Sequence, residues 1–348
     1  MKETFRCLAF LSVFFAGCEE FLLGPNPENS PKANFEILWK TLDENYALFS
    51  VKNVNWDSLH SVYGSKITEA TTDSQLWDIA TGMLSHLDDG HVAIFNEDFS
   101  KVFNSSSLNN RPQDDFSLNV VKTIYLDTSY TAGAGFLTYG KIKTSNIGYV
   151  HIASFNRANA ANVTDWTYDI DKVVQELYEC DGMIVDVRNN GGGFRNNGEI
   201  ICSAFIDQER TYFYQRLKTG PGHDDFGQPR AVTIAPRAGT QRYTKKNVIL
   251  TNRFTASVSE YAVQIFRTLP YSTQIGDTTF GILGDVTSVA QLPNGWIFWY
   301  PCTFTTTPEG YCPEGIGIIP DILVENTRSD INRKRDNVLE RAIQYLSQ

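Results

Sequence analysis

Ser257 stands in the stretch Asn252-Arg253-Phe254-Thr255-Ala256-Ser257-Val258-Ser259-Glu260, between an apolar run (Val248, Ile249, Leu250) and a helical pattern (Tyr261, Ile265, Leu269). A serine at a strand-to-helix turn exposes its hydroxyl while the next backbone N–H groups point outward. A nucleophile with an oxyanion site needs that arrangement. Ser257 is therefore the candidate nucleophile and Ser259 its rival. The same turn also reads as an ordinary helix N-cap, because Ser and Thr are preferred caps. A serine hydroxyl needs a nearby base, and a neutral imidazole with a reference pKa of ~6.5 is suited to the task.

The chain has five histidines: His60, His86, His91, His151 and His223. His91 follows Leu87-Asp88-Asp89-Gly90, a helix stop, and precedes the short strand pattern Val92 to Phe95, so it sits on a junction. His86 and His151 compete with it, His86 from within a helical pattern. A third stretch, Gly182 to Arg188, is a near-continuous apolar strand that runs into Asn189-Asn190-Gly191-Gly192-Gly193. Consecutive glycines at the carboxyl end of such a strand let a backbone N–H face a ligand without side-chain obstruction. The turn lacks both the Lys-Ser/Thr ending of a phosphate loop and the GxGxxG order of a dinucleotide site. No CxxC or HxxxH pair suggests zinc. No cofactor and no metal are expected.

The elements that must position these residues follow from periodicity. Phe35, Leu38, Trp39, Leu42 and Tyr46 share one helical face, and Leu76, Ile79, Met83, Leu84 and Leu87 form a second stripe, with Asp73 as its expected cap. A small helical N-terminal subdomain is expected over 34–90, and an α/β core with a C-terminal helix over 91–348. Strands are expected around Ser117 to Tyr125, Gly135 to Ile142 and Ile147 to Ile152, then a helix through Trp166 to Leu177 and the strand from Gly182. Strand, helix and strand in that order imply a crossover unit in a mainly parallel sheet. The last helix carries Val338, Leu339, Ala342, Ile343 and Leu346.

At 348 residues, 42% hydrophobic, the chain can bury a large core, and its formal charge of −10 without a basic run argues against a nucleic-acid partner. Residues 1–17 read as an export signal whose apolar core, Leu8 to Phe15, is too short to stay as a membrane span. Phe15-Ala16-Gly17-Cys18 resembles a bacterial lipoprotein signal, which implies lipidation at Cys18, a membrane contact through that lipid, and a location in the cell envelope (outer membrane or cell surface). Residues 18–33 read as a tether. Cys180, Cys202, Cys302 and Cys312 remain. Cys302 and Cys312 flank an expected hairpin, and a disulfide between them is expected in an oxidising compartment.

Four blocks occur in the order found in one family: Leu87-x-Asp89-Gly90-His91, the Gly182 to Gly193 strand and turn, Thr255 to Glu260 with Thr279-Phe280-Gly281 downstream, and Gly317-Ile318-x-Pro320-Asp321. Together they resemble the C-terminal processing proteases and tricorn-type serine peptidases. The resemblance implies an α/β core of the ClpP/crotonase type, with no stretch suited to a PDZ domain. Processing proteases place a catalytic Lys directly after the Thr-Phe-Gly block, but here that position is Ile282. The tricorn-like branch uses Ser, His and Glu, which map onto Ser257, His91 and Glu314, although Gly90 stands where that branch has Ser. By the same resemblance Val258 and a glycine-turn residue, Gly191 or Gly192, would supply oxyanion N–H donors, each worth ~3 kcal/mol. Glu314 would orient His91, with Asp88 or Asp89 as alternatives. The implied activity is serine endopeptidase action on peptides or unfolded protein segments. The alternative is an inactive member that binds peptides or glycans in the same cleft.

Overall fold

The computed structural model describes residues 28–107, 112–285 and 288–348. The export signal, Cys18 and most of the tether lie outside these residues.

Helix α1 (Pro31–Asn45) starts where Ser30 Oγ accepts the Ala33 N–H at 3.2 Å and Pro31 occupies the first turn, where its missing N–H costs nothing. The four-residue α2 (Phe49–Lys52) ends at Asn53 in the left-handed region (φ 51°). Helices α3 (Trp56–Gly64) and α4 (Asp73–Leu84) follow. Thr72, not Asp73, caps α4, in a reciprocal box with Gln75, because the cap residue must be extended and Asp73 is already helical. The predicted stripes meet: Phe35, Leu38, Leu42 and Tyr46 share a buried cluster with Leu76, Met83 and Leu84.

That cluster does not close within residues 34–90. Strands β1 (Ala93–Phe95) and β2 (Val102–Asn104) form a four-stranded antiparallel sheet with β11 (Ser288–Gln291) and β12 (Ile297–Tyr300), in the order β11-β12-β1-β2. Its inner face adds Ile94, Phe298 and Tyr300 to the helical cluster. The expected boundary at residue 90 is thus corrected: a hairpin from the distal half of the chain completes the N-terminal unit. Nothing in local periodicity announces such a return.

The main sheet has seven strands in the order β14-β10-β9-β6-β5-β4-β3. β5 (Ile147–Ile152), β6 (Gly182–Asp186), β9 (Asn247–Thr251) and β10 (Ser272–Gly276) run parallel, as the crossover pattern implies. β14 (Ile322–Leu323) extends one edge, with β4 (Leu137–Lys141) and β3 (Tyr130–Ala132) on the other side. Successive residues serve opposite faces. Met183 and Val185 pack on the side of α5 (Ile170–Leu177), α6 (Arg195–Cys202) and α7 (Val258–Arg267), and Ile184 packs on the side of α8 (Asn337–Leu346). A third sheet, β13-β7-β8, joins β13 (Thr303–Thr306), β7 (Arg210–Leu217) and β8 (Arg230–Ile234). The passage from β2 to β3 is too short for a further domain.

Two expectations fail here. Ser117 to Tyr125 is helical: Ser117 caps a turn at Leu118–Val120, and a wider turn follows, closed by the Leu126 N–H on the Val121 carbonyl. Burying Val121 against the α8 side wins over the strand pattern. Cys302 and Cys312 are not joined. The turn at 307–311 closes, with the Thr307 N–H on the Tyr311 carbonyl and the Gly310 N–H on the Thr307 carbonyl, but β13 pairs with β7 and no strand among the described residues pairs with it on the far side of the turn to bring Cys312 to Cys302.

Candidate active site

Because β6 and β9 are parallel neighbours, the turns at their carboxyl ends lie side by side. Open α/β sheets bind ligands at such ends. The Asn252 side chain ties the two turns together: its Oδ1 accepts the Asn189 and Phe254 N–H groups and its Nδ2 donates to Asn189 Oδ1 at 2.7 Å. The Ala256 N–H donates to the Asn190 carbonyl, and Thr255 Oγ1 to the Val187 carbonyl. The Gly192 backbone then passes so close to the serine turn that an added Cβ would stand 2.8 Å from the Ala256 carbonyl oxygen and 2.9 Å from Ser257 Cβ and Val258 N. Only glycine fits, the more so at φ +97°.

Ser257 itself has φ 55° and ψ −121°, a strained conformation for a residue with a side chain. The strain is held by Glu260, a fully buried residue whose carboxylate accepts the Ser257 and Ile282 N–H groups on one oxygen and the Gly281 N–H and Thr279 hydroxyl on the other. Burial raises the Glu260 pKa against those donors. Sequence reasoning missed this role. The Ser-x-x-Glu spacing was a visible signal, but of helix capping. Ser257 and Glu260 form the reciprocal box that opens α7, and the Ser257 hydroxyl is also turned to the site. It meets His91 Nε2 at 3.2 Å, across 166 residues of sequence.

His91 arrives from the N-terminal unit. The buried carboxylate of Asp89 accepts the His91 backbone N–H at 2.7 Å and the Tyr46 hydroxyl at 2.7 Å, fixing the chain where β1 begins. Asp89 therefore holds the backbone of His91 and makes no hydrogen bond to its ring. Asp88 accepts the Ser107 N–H. Burial lowers the His91 pKa from its ordinary value, opposed by Asp89, the Gly284 backbone and Asp285, and assisted by Lys52. Burial thus favours the neutral imidazole, the form a base must take. With the proton on Nδ1, Nε2 accepts from Ser257. Nδ1 has no partner at hydrogen-bond distance, though the Gly284 backbone lies near enough to favour the charged ring.

Glu314 makes no hydrogen bond to His91. One carboxylate oxygen accepts the Leu283 N–H at 2.8 Å and the Gly284 N–H at 3.2 Å, and the other faces Lys52 Nζ at 3.3 Å. It thus touches His91 only through the backbone that runs past the ring. Burial, with the nearby Asp89 charge, raises the Glu314 pKa. Of the expected oxyanion donors, Val258 N–H begins α7, Gly191 has open space where a side chain would stand, and neither N–H has an acceptor among the described residues. Gly192 is corrected: its N–H donates to Asn190 Oδ1 at 2.9 Å, so its part is close approach.

The other candidates lie elsewhere. Ser259 is fully buried within α7, His86 bonds the Tyr63 hydroxyl at the surface, and His151 is buried in β5 beside the Arg188 carbonyl. Among the described residues no cluster of His, Cys, Asp or Glu could hold a metal.

A family model described as Peptidase family S41 matches residues 146–324, and one described as Tricorn protease C1 domain matches 27–85. The carboxy-terminal processing protease CtpA of Bacillus subtilis is 26% identical over 187 residues, covering 54% of this chain and 37% of that protein. The tricorn protease of Thermoplasma acidophilum is 27% identical over 219 residues, 61% of this chain and 19% of that protein. The chain therefore spans less than half the length of these relatives. A crystal structure of a peptidase candidate from Parabacteroides merdae aligns with a TM-score of 0.80 and 30% identity, over 92% of this chain and 97% of that one. The S41 match begins at β5 and ends beyond β14, so it takes in the glycine turn, the serine turn and Glu314, and the chain belongs to peptidase family S41.

Proposed function

We propose that this chain is a serine endopeptidase that cleaves peptides or unfolded protein segments, with Ser257 as nucleophile and His91 as general base. The observation that carries this reading is the 3.2 Å contact between His91 Nε2 and Ser257 Oγ, at a strained turn. Ser257 Oγ attacks the scissile carbonyl carbon as its proton passes to His91 Nε2. The oxyanion is held by the Val258 and Gly191 N–H groups. As the C–N bond breaks, His91 returns the proton to the leaving amine. A water then repeats the sequence on the acyl-enzyme, with His91 again as base. Ile282 stands where a Ser-Lys dyad would need its base, which supports an imidazole mechanism.

Replacing Ser257 with Ala should lower cleavage of unstructured casein by at least about 10³-fold and abolish labelling by a fluorophosphonate probe. Equal cleavage by the two proteins would overturn the assignment.

The envelope location is part of the proposal. Among the described residues no helix is long and apolar enough to cross a membrane, and the pattern through Phe15-Ala16-Gly17-Cys18 supports attachment by lipid at Cys18. Mass spectrometry of the protein from bacterial membranes should find a diacylated N-terminal Cys18. An unmodified Cys18 in membrane-purified protein would sink this part.

A further inference from the structure

Lys52 is the last residue of the four-residue α2, and nothing in its neighbourhood in the sequence marks it. In the fold its side chain is only 7% exposed and points out of the N-terminal unit toward the site. Its ammonium donates to the Asp88 carbonyl at 2.9 Å and stands 3.3 Å from a Glu314 oxygen. That oxygen is buried and has no hydrogen-bond donor. A buried lysine aimed at a buried carboxylate is costly to assemble and needs a compensating reason.

From the pairing of Lys52 with Glu314 across the two units, we infer that Lys52 is a positioning residue for the peptidase reaction, favouring the ionised form of Glu314, the form that fixes the backbone beside His91. The inference rests on the reading of Ser257 and His91 given above. Its physical content is a chain of contacts. Lys52 supplies the positive charge on one oxygen of Glu314, and the other oxygen takes the Leu283 and Gly284 N–H groups. A carboxylate can accept both N–H groups and face an ammonium at once. A protonated carboxyl has lost its charge and must point an O–H at some acceptor, which weakens its hold on the two backbone groups. The Gly284 backbone that it holds is the one that favours the protonated His91 ring. Imidazolium is the form His91 takes while Ser257 is attacking, so losing this hold slows the step and not substrate binding.

The charges around the pair decide the direction of the pH effect. Glu314 faces Asp89, Lys52 and Glu260, and His91 faces Asp89, Asp285 and Lys52. Tyr46 bonds Asp89 and also lies in the field of Glu314 and Asp88. Lys52 is the single cation in this set. Removing it leaves Glu314 beside other carboxylates, so its pKa rises. The low-pH limb of activity then moves to higher pH. His91 on its own would respond in the same direction, because Lys52 lowers its pKa through space and losing the cation raises it, so the direction of the shift alone does not separate the two groups. An upward shift that persists when Lys52→Gln is made in the Glu314→Gln background would therefore trace to His91 and not to Glu314.

The test measures the rate of fluorophosphonate labelling of Ser257 from pH 5 to 9, together with kcat and KM on casein. The proteins are wild type, Lys52→Gln, Lys52→Arg, Glu314→Gln, and Lys52→Gln with Glu314→Gln. Lys52→Gln removes the charge and leaves a shorter, neutral amide donor on the side of the Asp88 carbonyl. Its limb should move up by roughly one pH unit, with kcat at pH 7 down about tenfold and KM unchanged. Lys52→Arg should restore the wild-type limb. In the Glu314→Gln background the Lys52 change should have no further effect on the limb. Thermal melting checks that the variants fold, and Lys52→Met, closer to lysine in length and without the charge, replaces Lys52→Gln if that variant does not, with the same upward shift expected. An unmoved limb in Lys52→Gln, or an equal shift in the Glu314→Gln background, overturns the inference. If Ser257→Ala still cleaves, the peptidase assignment has failed. If Ser257→Ala is dead and Lys52→Gln is silent, only the role of Lys52 has failed.

Discussion

Two outlying parts of the chain, the N-terminal helical unit and the C-terminal helix, are joined to the seven-stranded sheet through buried charges, and the two joints use the same inventory differently. At the C-terminal joint Arg188 stands between Asp186 and Asp336. At the N-terminal joint Lys52 stands near Glu314, which lies in the field of Asp89. Each sets one cation against buried carboxylates. Arg188 binds Asp186 through two nitrogens, at 2.9 and 2.6 Å, and Asp336 at 2.8 Å, with Phe116 stacked 4.4 Å from its guanidinium carbon. The planar fork suits that double engagement. Lys52 reaches only one carboxylate, at 3.3 Å, and donates its hydrogen bond to a carbonyl. The consequence appears in the acids. Burial pushes Asp336 up, but Arg188, Asn326 and the Leu339 N–H outweigh it and its pKa is lowered. Burial and Asp89 prevail at Glu314, whose pKa is raised. The first joint is a lock. The second retains a group poised to titrate, and it is the one beside Ser257.

The largest effect should come from breaking the lock. Arg188→Met leaves Asp186 and Asp336 buried without their cation, and Asp336 also caps α8 through the Leu339 N–H. Unfolding in urea should show a loss of about 3–5 kcal/mol, with fluorophosphonate labelling of the folded fraction unchanged. The contrast with Lys52→Gln, which should act mainly on rate, is the point of the comparison. A loss under about 1 kcal/mol would mean that the two joints do not differ as described.

Much of the site was legible because its parts sit at element ends. The apolar runs predict where β6 and β9 stop, and parallel pairing brings Gly192 and Ser257 together. The Asp89-Gly90-His91 junction was readable for the same reason. What was not legible depends on contacts between distant segments. Lys52 looks like any surface lysine until α2 docks. Glu260 is written as a cap partner, and only the return of Thr279 to Ile282 turns it into the clamp of the serine turn. The hairpin at 288–300 closes the N-terminal unit across nearly the whole length of the chain. Cys302 and Cys312 misled because a strand pattern does not say which strand it pairs with.

The smallest predicted effect is the most specific to the N-terminal joint. Gly90 and Ile282, the two departures from the resembling families, touch each other: a Cβ on Gly90 would come 2.9 Å from Ile282 Cγ2, 3.1 Å from its Cδ1 and 3.3 Å from Phe280. The absent side chain at 90 and the branched one at 282 are therefore one packing solution. Ile282 also lies on the loop whose N–H groups bind Glu260, so it cannot move freely. Gly90→Ser should destabilise the protein by about 1–3 kcal/mol through overpacking. Ile282→Ala alone should cost about 0.5–1.5 kcal/mol, less than a core truncation because Ile282 is half-buried. Together they should cost less than the sum, with a coupling of about 0.5–2 kcal/mol in a urea double-mutant cycle. Strict additivity would show that the two positions vary independently. Coupling would show that the N-terminal joint is fitted by packing at Gly90 and Ile282 as well as by charge at Lys52 and Glu314, both on the side of the site that carries His91.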